Sequence, residues 1–298
     1  MLRDWGAPGA AVSVVKDGQI VFSKGYGVLE LGRPQRVDQN TLFGIGSMSK
    51  TFTATIVARL VEQGRLGWDD RIIDHLPTFR LADPWVTAHV TIRDVLTHRV
   101  GLDEAGNNAI WAFQSVDREQ YVSRLRHVPL TGRFRDTFTY SNGLLTMTGE
   151  LLEAVAGKSW EELIAAEVFA PLGMTRSVSG RDKLVAPGHW VPNWFGRPPE
   201  GALKGQAGLR PGVTNVAAPH GLDRHGRRIL YYWHYKPESA PAGAVTSSAH
   251  DMGLYMLAYL GEGGFLEPAT LHEMLGLQSR HEAPEEGSPQ RRLGWGLG

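Results

Sequence analysis

Apolar residues along the first sixty positions change period once, and the change separates two kinds of element. Ala11-Val12-Ser13-Val14-Val15-Lys16 and Gln19-Ile20-Val21-Phe22-Ser23 alternate in steps of two around Asp17-Gly18, which predicts a β-hairpin with a tight turn. From Thr51 to Gln63 the spacing becomes helical: Phe52, Ile56, Val57, Leu60 and Val61 recur every three or four residues, and Gly64 stands where a left-handed C-cap ends a helix. Leu144 to Ala156 repeats the helical pattern with Gly157 as its stop. Trp160 to Val168 forms a further helix with Ser159 as its cap, and Ala249 to Leu260 a late helix that packs back on the sheet. The coarse organisation is α+β in two lobes, an α/β lobe over about 1–65 and 243–298 and a helical lobe over about 66–242.

The helix that begins near Thr51 gives a reason to look for chemistry at its start. In Ser47-Met48-Ser49-Lys50 the amine and the hydroxyl are three residues apart and share a helix face, so Lys50 can reach back to Ser47. A serine hydroxyl is a poor nucleophile at neutral pH without a base against it. A free lysine, with pKa about 10.4, is almost wholly protonated at pH 7, but desolvation lowers it toward roughly 7–8. The small and apolar residues around this helix predict a buried element and a partly dry amine. The unpaired N–H groups of the helix start also favour developing negative charge at Ser47. Taken alone, the same four residues more often mark an N-cap serine followed by a solvated lysine.

A second cluster lies about ninety residues on, in Phe138-Thr139-Tyr140-Ser141-Asn142-Gly143. A phenol beside a lysine ammonium loses its proton more easily, so Tyr140 can serve as base or relay. Asn142, two positions on in an extended segment, projects to the same side and can donate an amide N–H to a substrate carbonyl. The plain structural alternative is a half-buried tyrosine and an asparagine N-cap.

Both clusters, in this order, resemble the serine β-lactamase and penicillin-binding superfamily, specifically its class C-like branch, which includes family VIII carboxylesterases and D-amino-acid-specific peptidases. The resemblance covers nearly the whole chain: Pro8-Gly9-Ala10-Ala11-Val12 before the hairpin, and Thr41 to Lys50 continuing into Thr51-Phe52-Thr53-Ala54. It continues through Thr91-Ile92-Arg93-Asp94-Val95-Leu96-Thr97-His98 with Gly101-Leu102, and through Pro241-Ala242-Gly243-Ala244-Val245-Thr246-Ser247-Ser248-Ala249-His250-Asp251-Met252. It implies a β-lactamase/transpeptidase-like fold, with an antiparallel sheet flanked by helices plus a mainly helical lobe. It also implies acyl transfer in which Ser47 attacks a carbonyl carbon, Lys50 and Tyr140 shuttle protons, and Asn142 orients the acyl side chain. The substrate classes so implied are β-lactams, short-acyl esters and D-amino-acid amides. His98 has a family counterpart of structural kind, so no base role is carried over to it.

One departure from the family pattern stands out. Its third element is a K-T-G or H-x-G triplet on a strand beside the nucleophile, and no K-[ST]-G or H-[ST]-G occurs up to Gly298. His220-Gly221 and His225-Gly226 precede the Pro241 segment and read as a polar turn. Leu2-Arg3-Asp4-Trp5-Gly6 reads as the end of a helix, and Leu293-Gly294-Trp295-Gly296-Leu297-Gly298 as the start of a strand. The expectation is therefore a fragment lacking the last strands. A complete chain of this sequence is expected to hydrolyse weakly or not at all, because losing one oxyanion donor costs about 10²–10³ in rate. The alternative function is then a binding or weakly acylating relative that does not turn over.

Composition narrows the remaining classes. The 298 residues can bury a sizeable core, and formal net charge is zero with no basic run, which argues against nucleic-acid and membrane-surface roles. No apolar stretch approaches the roughly 20 residues of a membrane span. There is no cysteine, which excludes disulfides and thiolate metal sites, and neither H-E-x-x-H nor G-x-S-x-G occurs. No metal or cofactor is expected; the expected partner is a small ester or amide substrate. Trp190, Trp194, Tyr231, Tyr232, Trp233 and Tyr235 read either as an aromatic wall over the active site or as an ordinary cover on the helical lobe.

Overall fold

Helix α1 (Ser49–Glu62) shows how this sequence accommodates hydroxyls in a core. Phe52, Ile56, Val57 and Leu60 have no exposed surface, and burying each of the large ones stabilises the fold by about 1.5–3 kcal/mol. Thr51, Thr53 and Thr55 are buried beside them, and every hydroxyl has a partner: Thr51 donates to the Met48 carbonyl at 2.8 Å, Thr55 to that of Thr51 at 2.9 Å, and Thr53 to that of Pro241 at 2.7 Å. The Trp160 indole N–H in turn donates to the Thr53 hydroxyl at 3.1 Å. Gly64 closes the helix with φ +68°, where any Cβ would be strained. The computed structural model describes residues 2–113, 116–191, 197–276, 278–281 and 291–293.

Two compact units account for the chain. The first comprises Gly46–Val168, Pro237–Gly243 and Leu266–Gly298; the second comprises Met1–Ile45, Phe169–Lys236 and Ala244–Phe265. The segment after Ser47 thus belongs to the helical unit, while Phe169–Lys236, assigned above to the helical lobe, belongs to the strand-rich unit.

In the helical unit, α1 is joined by α2 (Ile92–Leu96), α3 (Glu104–Phe113), α4 (Asn142–Ala156) and α5 (Trp160–Ile164). Thr91 and Asp94 form a capping box at the start of α2, and the buried Asp94 carboxylate also pairs with Arg99 at 2.8 Å and Arg135 at 2.9 Å. These two arginines tie the turn after α2 to the segment that enters α4. Ser141, not Asn142, caps α4 by accepting the Leu144 N–H at 3.1 Å, and Gly157 ends it with φ 69°. Ser159 and Glu162 form a second capping box on α5, which stops at Ile164 and continues as a π-helical turn, Ala165–Phe169. A one-turn helix, Ala240–Gly243, packs against both α1 and α4. A Cβ on Gly149 of α4 would come within 2.4 Å of the Pro241 ring, so this crossing requires glycine. Strands Ser279–His281 and Arg291–Leu293 pair antiparallel, and the Gly294–Gly298 stretch lies outside the described residues.

In the strand-rich unit the predicted hairpin forms as β1 (Gly9–Lys16) and β2 (Gln19–Gly27), antiparallel, with Asp17 at φ 49° and Gly18 at φ 73° in the turn. Helix α6 (Ala249–Tyr259) packs on it. Ser248 caps this helix, and Asp251 in its first turn accepts from the Arg176 and Ser177 N–H groups, both at 2.9 Å. The other strands are short: β3 (Phe43–Gly44), β4 (Trp190–Val191), β5 (His220–Leu222), β6 (Arg228–Leu230), β7 (Trp233–His234) and β8 (Thr246–Ser247), paired as β3 with β8, β4 with β7 and β5 with β6. Trp233 is buried with Leu42, Leu184, Val185 and Val216, and Trp190 packs against this cluster. Tyr231, Tyr232 and Trp233 also line a cavity of about 530 Å³ together with Phe43, Arg181 and His220. These aromatics therefore belong to the strand-rich unit and not to a cover on the helical lobe; Trp194 lies outside the described residues. His220, expected in a turn, is on β5. Its Nδ1 donates to the Ala218 carbonyl at 2.8 Å and its Nε2 accepts the Leu31 N–H at 3.2 Å, which occupies both ring nitrogens. The described elements mix helices with short paired strands, as the resemblance to the β-lactamase/transpeptidase fold implies. Among the described residues no helix is long and apolar enough to cross a membrane.

Candidate active site

Ser47 sits in a single 3₁₀ turn, Gly46–Met48, at the entrance to α1. Gly46 has φ +54°, and the Ser49 hydroxyl donates back to the Gly46 carbonyl at 2.7 Å, which fixes the turn. The Ser47 side chain is left exposed, while Lys50, one turn later, is only 1% exposed. Lys50 Nζ lies 3.2 Å from Ser47 Oγ, 2.8 Å from Asn142 Oδ1 and 2.7 Å from the Ala242 carbonyl oxygen. Burial lowers its pKa to about 7. The dry amine expected from the apolar helix is thus present, with three acceptors around it.

Tyr140 reaches the same atom from another side. Its phenol donates to Ser47 Oγ at 2.6 Å, and the face of its ring lies 4.8 Å from Lys50 Nζ. Its protonation differs from expectation. Burial pushes the Tyr140 phenol up, the bond to Ser47 works against this, and the charge of Glu104 raises it further. With Lys50 itself half neutral near pH 7, no full ammonium charge is available to stabilise a phenolate. The phenol keeps its proton and acts as a donor. Asn142 also differs: it opens α4 in helical conformation instead of lying in an extended segment. Its side chain still reaches the site, because the cap at Ser141 turns the chain sharply between the two residues.

A neutral Lys50 makes a consistent chain of hydrogen bonds. Its two N–H groups satisfy Asn142 Oδ1 and the Ala242 carbonyl, which leaves the lone pair for the Ser47 hydroxyl proton. Ser47 Oγ meanwhile accepts from Tyr140. A protonated Lys50 fills all three acceptors and cannot take a proton. The arrangement can therefore remove a proton from Ser47 only through the neutral amine.

Three further neighbours complete the site: His98, set aside in the sequence as structural, and Asn107 and Asn108, which the sequence did not single out. His98 is buried, with φ 57°, and its Nδ1 accepts the Ser141 N–H at 3.1 Å while its ring packs 4.8 Å from that of Tyr140. Burial and the nearby Lys50 push its pKa down to about 3, so it is neutral and structural. Asn107 on α3 is fully buried and accepts from the Ser141 hydroxyl at 3.3 Å and the Gly143 N–H at 2.9 Å, and its own N–H groups reach the Glu104 and Tyr140 carbonyls at 3.1 and 3.4 Å. Asn108 accepts from Asn142 Nδ2 at 3.1 Å. The only sequence signal for this pair is two adjacent amides in an otherwise apolar helical stretch. The Ala242 carbonyl lies within the Pro241-Ala242-Gly243 segment already noted, but a backbone acceptor leaves no side-chain signature. Among the described residues no group of three His, Asp or Glu side chains could hold a metal ion.

The beta-lactamase family profile matches residues 2–298. Unguisins hydrolase of Aspergillus violaceofuscus is 28% identical over 266 residues, which cover 87% of this chain and 43% of the fungal protein. Penicillin-binding protein 4 of Amycolatopsis lactamdurans is 32% identical over 173 residues, 58% of this chain and 45% of the relative. The chain thus spans less than half the length of these two curated relatives. Among solved structures, an octameric penicillin-binding protein homologue from Pyrococcus abyssi superposes with TM-score 0.78 over 99% of this chain and 61% of that one at 23% identity, a likeness of fold. With the profile running along nearly the whole sequence, the chain belongs to the beta-lactamase family.

Proposed function

We propose that this protein is a serine hydrolase that works through an acyl-serine intermediate on a carboxylic ester or amide: a short-acyl ester, a β-lactam or a D-amino-acid peptide. The observation that carries this reading is the convergence of Lys50 Nζ, at 3.2 Å, and the Tyr140 phenol, at 2.6 Å, on Ser47 Oγ. Ser47 Oγ attacks the carbonyl carbon as its proton passes to the lone pair of Lys50. When the tetrahedral intermediate collapses, the leaving alcohol or amine takes a proton from Tyr140, and the Lys50 ammonium restores the phenol. Water then attacks the acyl-serine ester, its proton follows the same path back to Ser47 Oγ, and the free acid departs. Asn142 holds Lys50 from behind through Oδ1 and has one amide proton left for the acyl side of the substrate. The names of the relatives, a hydrolase and a penicillin-binding protein, support the same reaction class.

Intact-protein mass spectrometry after exposure to a fluorophosphonate, a β-lactam and p-nitrophenyl butyrate tests this reading. A single adduct on the native chain that is absent from Ser47→Ala is expected. An adduct that persists in Ser47→Ala would remove Ser47 as the nucleophile. A stable acyl adduct without release of acid would identify a trapping relative instead of a hydrolase.

A further inference from the structure

The amide of Asn142 has two faces, and only one suits the chemistry. With Oδ1 toward Lys50, it accepts an amine N–H and leaves the lone pair free. Flipped by 180° about its terminal torsion, it would present Nδ2 and donate into that lone pair, leaving nothing to receive the Ser47 proton. The two faces are nearly equal in shape, so sterics alone do not choose between them. Asn108 bears on the choice, because in the orientation it holds here its Oδ1 accepts from Asn142 Nδ2 at 3.1 Å on the side away from Lys50. A flip would set two carbonyl-type oxygens against each other there while placing Nδ2 against the amine. Asn107, next on the same helix and fully buried, keeps the partners in register by binding the Gly143 N–H and the Ser141 hydroxyl.

We propose that Asn108 is a positioning residue that locks the orientation of the Asn142 amide and so keeps the Lys50 lone pair aimed at Ser47. The role rests on the acyl-serine reading above. Asn108 reaches the reaction through Asn142 and does not touch the reacting atoms.

The charged and titratable groups of this unit that bear on Lys50 are few. His98 faces it from the turn after α2 and is neutral above about pH 4, with its pKa pushed down to about 3. Tyr140 faces it from the segment before α4 and is neutral because burial raises its pKa. Glu104, on α3, acts on Tyr140 and is exposed, and the one-turn helix Ala240–Gly243 contributes only the Ala242 carbonyl. An acid limb near pH 7 in the labelling of Ser47 therefore reports Lys50.

The test follows the rate of fluorophosphonate labelling of Ser47 in the full chain from pH 5.5 to 9, for the native protein, Asn108→Leu and Asn108→Asp. Fluoride leaves without a proton, so the rate isolates the deprotonation of Ser47. Asn108→Leu removes the acceptor that holds the amide; its plateau rate should fall by about tenfold and its acid limb move to lower pH, because the ammonium loses a dependable acceptor. Asn108→Asp keeps the acceptor and adds a charge that favours the ammonium; its limb should move up by on the order of one pH unit. The added charge raises the limb by itself, so the lock is read from the plateau, which should stay near the native value in Asn108→Asp, where the acceptor is kept, and fall in Asn108→Leu, where it is lost. If Asn108→Leu does not fold, Asn108→Ala takes its place with the same fall of about tenfold expected, and a native plateau in it would overturn the lock. Native protein that labels normally, with variant profiles that coincide with it, would overturn the lock. Native protein that never labels at Ser47 would instead overturn the acyl-serine reading.

Discussion

Replacing Lys50 by methionine should abolish acylation and, at the same time, change how stability depends on pH. Lys50 is 1% exposed, and its pKa falls from 10.5 to about 7 on folding, so between these values the unfolded chain binds a proton that the folded chain does not. Stability therefore rises with pH through this window and is lowest, with respect to this group, below pH 7, where both states carry the charge. The slope approaches about 1.4 kcal/mol per pH unit, which integrates to about 2 kcal/mol between pH 7 and pH 9 and about 5 kcal/mol over the whole window. In Lys50→Met the term vanishes. Asn142 Oδ1 and the Ala242 carbonyl lose their donor in the variant, but that loss does not vary with pH and drops out of the slope. Urea unfolding followed by tryptophan fluorescence at pH 6, 7, 8 and 9 should show the native protein gaining about 2 kcal/mol on the variant from pH 7 to 9, with little relative change from 6 to 7. A difference that stays constant across the series would mean that Lys50 is not held neutral by burial, and the base assignment would lose its physical basis.

The rate of Ser47 acylation should fall tenfold for each pH unit below about 7, as the neutral amine becomes scarce; a flat profile down to pH 5 would contradict a lysine base. Tyr140→Phe removes the donor at 2.6 Å from Ser47 and should lower acylation by ester and amide substrates by about 10²–10⁴, while leaving the stability–pH slope of Lys50 in place. Gly149→Ala puts a Cβ within 2.4 Å of the Pro241 ring, and a loss of about 1–3 kcal/mol in urea unfolding is expected, with slower acylation because Ala242 moves with Pro241. Thr53→Val leaves both the Trp160 indole N–H and the Pro241 carbonyl without a partner in a dry site, and should cost about 1–3 kcal/mol for each buried group in the same measurement.

The elements legible in the sequence were those whose signal is local. Alternation about Asp17-Gly18 located the hairpin, and the three- and four-residue spacing after Ser49 and Asn142 located α1 and α4 to within two residues at their ends. The Ser47–Lys50 proximity follows from helix geometry and needed no tertiary information. What escaped depends on partners far along the chain. The Ala242 carbonyl reaches Lys50 across 192 residues and is a backbone atom, so no residue type announces it. Asn107 and Asn108 look like ordinary polar positions until α3 is laid against the start of α4. The protonation of Tyr140 could not be read either, since the burial that raises its pKa competes with the lysine charge expected to lower it, and the same burial removes much of that charge. His220 went to a strand because the hairpin β5–β6 is only three residues per strand, too short for alternation to register.

Thr53 and Lys50 are anchored to consecutive carbonyls, those of Pro241 and Ala242, and both side chains spring from one helix. Mechanically this is a two-point clamp. A displacement of α1 along its axis carries the Ala240–Gly243 turn with it, so the amine and its acceptor translate together and their separation is insulated from the softer motions of the helix. The proton affinity of the base should then fluctuate little on the timescale of side-chain motion. Amide hydrogen exchange in α1 and in this turn should report a single opening event with a common free energy.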